Sequence, residues 1–149
     1  MEEKRLLPVA DIPDITNAGS TYDTEYKPSL KWDIEAGDFV RTASNAVPRS
    51  TGHEGFQIWC RKAVATERFS CLAYSRDIGA EMEEILTESD REAAELMIRR
   101  TIEETILVNP RASSVEDFVF TWGTGHVHVS FVVNAKEGSP FTVNATIAR

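Results

Sequence analysis

Residues 118–149, FVFTWGTGHVHVSFVVNAKEGSPFTVNATIAR, alternate apolar and polar residues in three runs separated by two turns. Phe118, Phe120 and Trp122 mark the first run, and Gly123-Thr124-Gly125 turns the chain. Val127, Val129, Phe131 and Val133 then alternate with His126, His128 and Ser130. After Gly138-Ser139-Pro140, Phe141, Val143, Ala145 and Ile147 alternate with Thr142, Asn144 and Thr146. A period of two sends one set to each face of a sheet, so this is an antiparallel meander covered on one side only.

Its cover lies upstream. Thr51 with Glu54 forms a capping box for a helix whose Phe56, Trp59, Cys60, Ala63 and Val64 make one apolar stripe. Arg61, Lys62 and Glu67 point away from that stripe. Ser89 with Glu92 opens a second helix with Ala94, Met97, Ile98, Ile102, Thr105 and Ile106 inward and a Glu95–Arg99 pair outside. That helix must stop at Asn109, because Pro110 disfavours helical geometry in the residue before it. Between them, Gly79 marks an elbow, and Ile78, Met82 and Ile85 read as a further helical turn or two. Upstream again, Leu30, Trp32 and Ile34, a turn at 35–38, and Phe39-Val40 predict a short hairpin, followed by a polar loop at 42–52. The expected class is α+β: a three-stranded C-terminal meander and a short hairpin packed against two to three helices. Residues 30–149 form that domain, and residues 1–29, with Pro8, Pro13 and Pro28, form an extended N-terminal arm. Leu6, Leu7, Val9, Ile12 and Ile15 suit an arm that lies along a neighbour.

The bulk properties exclude several classes. A formal charge of −8 over 149 residues, with scattered Lys and Arg, argues against a nucleic-acid partner and an anionic membrane surface. No apolar run approaches the ~20 residues that span a bilayer. The start, MEEKRLLPVADIPD, has acids and a proline where a secretion signal needs cations and an apolar core, so folding in the cytosol is expected. Cys60 and Cys71 would lie about 16 Å apart along an unbroken helix, too far for a disulfide, and two buried thiols are expected.

Catalytic and metal signatures are weak. His126 and His128 share a strand face, but no Cys or acid accompanies them at ligand spacing, so they read as solvated polar-face residues. Glu81, Glu83, Glu84, Glu88 and Asp90 offer carboxylates without an apolar pocket to raise one pKa. There is no Gly-x-Ser-x-Gly elbow, Walker loop or dinucleotide glycine fingerprint. No catalytic residue, metal or cofactor is assigned. The last strand is the stronger clue. As the sheet's margin it would present unpaired N–H and C=O groups, with no lysine before Arg149 to repel a neighbour. Either the hairpin or the arm covers that margin internally, or a partner adds a strand there.

The chain resembles the baseplate wedge, or sheath-initiator, family of contractile phage tails, in the branch of defective-prophage and phage-tail-like bacteriocin particles. The resemblance covers about residues 30–149. It rests on Lys31-Trp32-Asp33, Thr66-Glu67-Arg68-Phe69, Ala73-Tyr74-Ser75, Gly79-Ala80-Glu81-Met82, the Arg99-Arg100 helix ending in Asn109-Pro110-Arg111, and Ser114-Val115-Glu116-Asp117-Phe118. It implies a non-enzymatic structural subunit, assembled in the bacterial host cytoplasm and located in the particle's baseplate. Six copies would ring the tube, touching baseplate wedge proteins on one side and the tail sheath protein on the other, with tube or hub proteins nearby. Many members carry Glu-Pro-Arg after the long helix, and here Asn109 replaces the glutamate. The resemblance carries Pro110 and Arg111 over as a wedge-contacting or fold-setting turn. With the strand reading, it makes Phe141, Val143, Ala145 and Ile147 the expected protein-interaction residues. Because some relatives are labelled lysozyme-like, a baseplate-associated peptidoglycan hydrolase is the alternative.

Overall fold

Thr51 leaves extended geometry at φ −64°, ψ 165° and starts α1, Gly52–Ala65, with both halves of the expected capping box formed. Its hydroxyl accepts from the Glu54 amide at 3.2 Å, and the Glu54 carboxylate accepts from the Thr51 amide at 2.8 Å. A computed structural model describes residues 25–83 and 85–148, and the expected arm lies outside the described residues as far as residue 24. Phe56, Cys60, Ala63 and Val64 are buried, and Trp59 packs half-buried at the core's rim. Lys62 does not simply point to solvent. Its ammonium sits 3.6 Å from the Trp32 ring centroid, which ties α1 to a hairpin of β1, Trp32–Asp33, and β2, Asp38–Phe39. Losing water there holds the Lys62 pKa below the ordinary lysine value.

The second helix, α2, spans Arg91–Leu107 and is capped by Asp90, not by Ser89. The Asp90 carboxylate accepts from the Glu92 amide at 3.0 Å, while the Ser89 hydroxyl is drawn to Glu88. Ala94, Ile98, Ile102, Thr105 and Ile106 are buried as expected, but Met97 is exposed. The stripe climbs in steps of four, and each residue turns about 100°, so Met97 stands a quarter-turn off it. The Glu95–Arg99 pair is also replaced. Glu95 accepts from the Trp122 indole N–H at 2.7 Å, and the Arg99 guanidinium lies 5.0 Å from the Phe118 ring centroid. Both side chains border the packed sheet, where a half-buried Trp needs an acceptor. The exposed i,i+4 pair is Arg100–Glu104 at 2.8 Å.

The meander comprises β3, Ala112–Gly123, β4, His126–Ala135, and β5, Phe141–Ala148, antiparallel in the order β3–β4–β5. Every apolar residue of the β4 row, Val127, Val129, Phe131 and Val133, is buried. Strand β3 starts six residues before its Phe118 marker and holds two irregularities, between Ala112 and Ser114 and between Glu116 and Val119. Asp117 takes φ +54°, and the register shifts between Glu116 and Val119. The extra residue changes the phase, so that odd-numbered Val115 and even-numbered Phe120 and Trp122 all reach the apolar side. Helix α1 packs on β5 and α2 on β3, which gives the α+β architecture.

No helix forms across 66–83, contrary to the expected extra turns. Glu67 and Ala80 form an isolated parallel bridge, Phe69 and Gly79 take φ +65° and +104°, and only a short 3-10 turn appears at Ile85–Thr87. Met82 and Ile85 are buried all the same, so their spacing reflects core contact without helix. Cys60 is buried, and burial pushes its thiol pKa well up. Cys71 is exposed on the loop, against the expectation of two buried thiols, and both are free.

Thr51→Ala should cost about 1 kcal/mol in denaturant unfolding through loss of the cap. The Thr51 amide holds the Glu54 carboxyl below its usual range. The stabilisation is therefore complete above the ordinary carboxylate pKa and fades as pH falls through the lowered value. Glu54→Gln should flatten the acid side of the stability–pH curve, and an unchanged curve would contradict this.

Candidate functional site

Among the described residues, strand β5 is one margin of its sheet. Among those residues it pairs with β4 alone, and the β1–β2 hairpin forms a separate sheet. No backbone hydrogen bond beyond the ladder reaches β5 among those residues. Edge-strand N–H and C=O groups alternate between the paired and the open side, so half of them face outward. None of residues 141–148 is charged.

The four residues expected to meet a partner are placed differently from their backbone. Val143 and Ile147 are buried beneath α1, and Ala145 is half-buried. Phe141 is half-buried, with its ring edge-on to Phe56 at 5.7 Å and to His53 at 5.6 Å. Their side chains pack into or against the protein's own core, and β5 leaves open its backbone edge and the exposed row of Thr142, Asn144 and Thr146. A groove of about 590 Å³ borders this strand, lined by Val119 and Thr121 of β3, His128 and Ser130 of β4 and Asn144 and Thr146 of β5, with Ile34 and Glu35 of the hairpin turn and Arg61, Val64 and Ala65 of α1. A second cleft of about 190 Å³ continues past Ile147 and Ala148 between Val64, Glu67, Met82 and Glu83. Sequence reasoning missed these walls, because they join three segments remote along the chain.

The other margin is unlike it. Strand β3 carries exposed Glu116 and Asp117 at its bulge. Charge and bulging are both features that discourage edge pairing.

Pro110 and Arg111 lie at a corner that joins α2 to β3. The Asn109 side-chain carbonyl accepts from the Arg111 amide at 3.1 Å, and the Arg111 carbonyl accepts from the Tyr26 hydroxyl at 2.9 Å and from the Lys136 amide at 2.9 Å. Tyr26 also accepts from the Glu137 amide at 3.2 Å. Asn109 thus closes the turn through a neutral amide. The Asn109 Nδ2 and Arg111 Nε atoms are buried without a partner among the described residues.

A clamp that the sequence did not disclose closes the 67–80 loop. Arg68 donates to the Gly79 carbonyl at 3.0 Å and pairs with Glu81 at 3.4 Å. The Thr105 hydroxyl of α2 donates to the same carbonyl at 3.0 Å. The loop tip holds Phe69, Leu72 and Tyr74 in solvent.

The remaining candidates form no reactive constellation. Glu81 is engaged by Arg68, Glu83, Glu88 and Asp90 are exposed, and Glu84 lies outside the described residues. His126 and His128 do share a face, with ring centroids 4.8 Å apart. The His128 Nδ1 is 2.8 Å from the Thr146 hydroxyl, and the His126 Nδ1 is 3.2 Å from the Thr124 carbonyl. Among the described residues no three His, Cys, Asp or Glu gather to hold a metal, and no helix is long and apolar enough to cross a membrane.

An α+β unit with a helix-covered sheet and one open, uncharged margin has the make-up of an assembly module. The sequence profile of the contractile injection system sheath initiators matches residues 28–138, and the chain belongs to that family. Its role is a structural one in a contractile tail. It is also similar to the phage-like element PBSX protein XkdS of Bacillus subtilis (strain 168), at 31% identity over 136 residues, covering 90% of this chain and 91% of the relative.

Gly79→Ala tests the loop clamp. A Cβ there would lie 2.9 Å from the Arg68 backbone and the Thr66 carbonyl, at a φ that disfavours side chains. The substitution should destabilise the protein by more than about 1 kcal/mol. Hydrogen exchange should rise across 67–80 more than in β4, and uniform exchange would contradict the clamp.

Proposed function

We propose that this chain joins the baseplate wedge to the first sheath ring and templates sheath assembly by accepting a strand on β5. The open edge of β5 carries the proposal: it has no partner beyond β4 among the described residues and no charge to repel one. An extended segment added there would gain ladder hydrogen bonds that solvent now satisfies. The bulged, acidic β3 margin discourages addition on the other side, which gives the module a direction. Pro110 and Arg111 form the wedge-facing turn in this reading, on a corner already stiffened by Tyr26 and Asn109. Six copies around the tube supply the strength. A single added strand is a modest contact, whereas a ring of linked contacts raises the effective concentration of each remaining one. The work is templating and attachment, with no bond chemistry, and its place is the baseplate of the assembled particle.

Adjacent prolines on β5 provide the test. In an edge strand, one of two neighbouring N–H groups points to β4 and the other points outward. Of Asn144→Pro and Ala145→Pro, the outward member should keep the wild-type melting temperature, because it removes no internal hydrogen bond. Particles carrying that stable variant should show complete baseplates without sheath by electron microscopy. Normal sheathed particles would refute strand acceptance.

A further inference from the structure

We infer that the tip of the 67–80 loop is a second interface: it seats Phe69, Leu72 and Tyr74 in an apolar, cation-rimmed pocket of a different baseplate protein. The loop is separate from β5, so the inference stands whether or not that strand accepts a partner. The three side chains lie in solvent, at 64%, 104% and 55% exposure. Leu72 is thus as open as in an extended chain. Single exposed apolar residues are ordinary, but three large ones on one short loop mark a contact surface. Phe69 also takes φ +65°, which a bulky side chain rarely adopts. A strained backbone here keeps an aromatic ring out in water, where glycine would sit without strain.

The tip is also held in shape. Below it stand the Arg68–Gly79–Thr105 clamp and the Glu67–Ala80 bridge. Within it, the Ser70 amide and hydroxyl both donate to the Glu67 carbonyl, at 3.3 and 2.6 Å. The Tyr74 amide donates to the Cys71 carbonyl and the Ile78 amide to the Ser75 carbonyl, each at 3.2 Å. Successive turns of this kind limit the freedom lost on docking. Charge then specifies the pocket. Residues 69–75 carry none, whereas their flanks hold Glu67, Asp77, Glu81, Glu83 and Glu88 against Arg68 and Arg76. With −8 over the whole chain, an apolar seat rimmed by Lys or Arg is favoured over an acidic one. The same sign opposes a second copy of this chain and an anionic bilayer.

Thiol footprinting of the full chain, free and in assembled particles, tests this, because Cys71 is exposed on the loop and Cys60 is buried. Maleimide labelling of Cys71 should slow at least tenfold on assembly. Phe69→Gly combined with Leu72→Ser should keep or raise the melting temperature, because it relieves the positive φ and neither residue belongs to the core cluster. In cells that also make the wild-type chain, particles should nonetheless take up at least tenfold less of that variant. Glu83→Lys combined with Glu88→Lys should lower uptake at least threefold. Unchanged Cys71 labelling, or full uptake of the Phe69–Leu72 variant, would overturn the interface. Full uptake of the lysine variant would overturn its cationic rim. Self-association of the free chain, lost in the Phe69–Leu72 variant, would make a second copy the occupant and overturn the inference. Binding to phosphatidylcholine or phosphatidylglycerol vesicles, lost in the same variant, would do so in favour of a membrane.

Discussion

The burial of one face of a three-stranded sheet beneath two helices sets the terms for the rest of the molecule. Val127, Val129, Phe131 and Val133 of the central strand meet Ile98, Ile102 and Ile106 of α2 and Phe56, Cys60 and Val64 of α1 in a single cluster. Each such side chain contributes roughly 1.5–3 kcal/mol when taken from water. Because α1 lies on β5 and α2 on β3, the apolar rows of both outer strands are consumed internally. What those strands retain for other molecules is their backbone edge and the uncovered face, with Thr142, Asn144 and Thr146 on β5 and Val119 on β3.

The two margins then differ by what surrounds them. Asp117 forces a left-handed residue into β3, which re-phases the strand onto the core and breaks its outer edge in one step. Strand β5 is regular, uncharged and flanked by a groove. Among the described residues only one margin is clean, which makes the proposed strand acceptance directional, whereas a sheet that could extend on both sides would invite open-ended association.

The 67–80 loop shows how a fold of this size keeps an irregular segment in place. Fourteen-odd residues without regular structure are held at their base by Arg68, Thr105 and the Gly79 carbonyl, and Met82 and Ile85 then re-enter the core. The Tyr26–Arg111–Glu137 bonds do the same for the entry to the hairpin, linking the segment before α1 to the corner after α2. Both devices join residues far apart in the chain to backbone carbonyls and amides, which is why neither left a periodic trace.

The amino-acid order alone determined the meander, the α1 capping box, the buried stripes of both helices and the hairpin, because each follows from periods and caps local to a few residues. It also raised β5 as a candidate margin, with the hairpin or the arm as its alternative cover, and pointed to the family through its ordered motifs. It misled where apolar spacing imitated a helix at Ile78, Met82 and Ile85, and where Met97, Cys71 and the Glu95–Arg99 pair answered to neighbours brought by packing. Only the tertiary structure decided that Phe141, Val143, Ala145 and Ile147 turn inward while their backbone faces out, and that a hairpin turn and a helix wall in the open edge. A strand's alternation says which residues share a face, but which face is covered, and what stands beside the edge, depends on segments that meet only when the chain has folded.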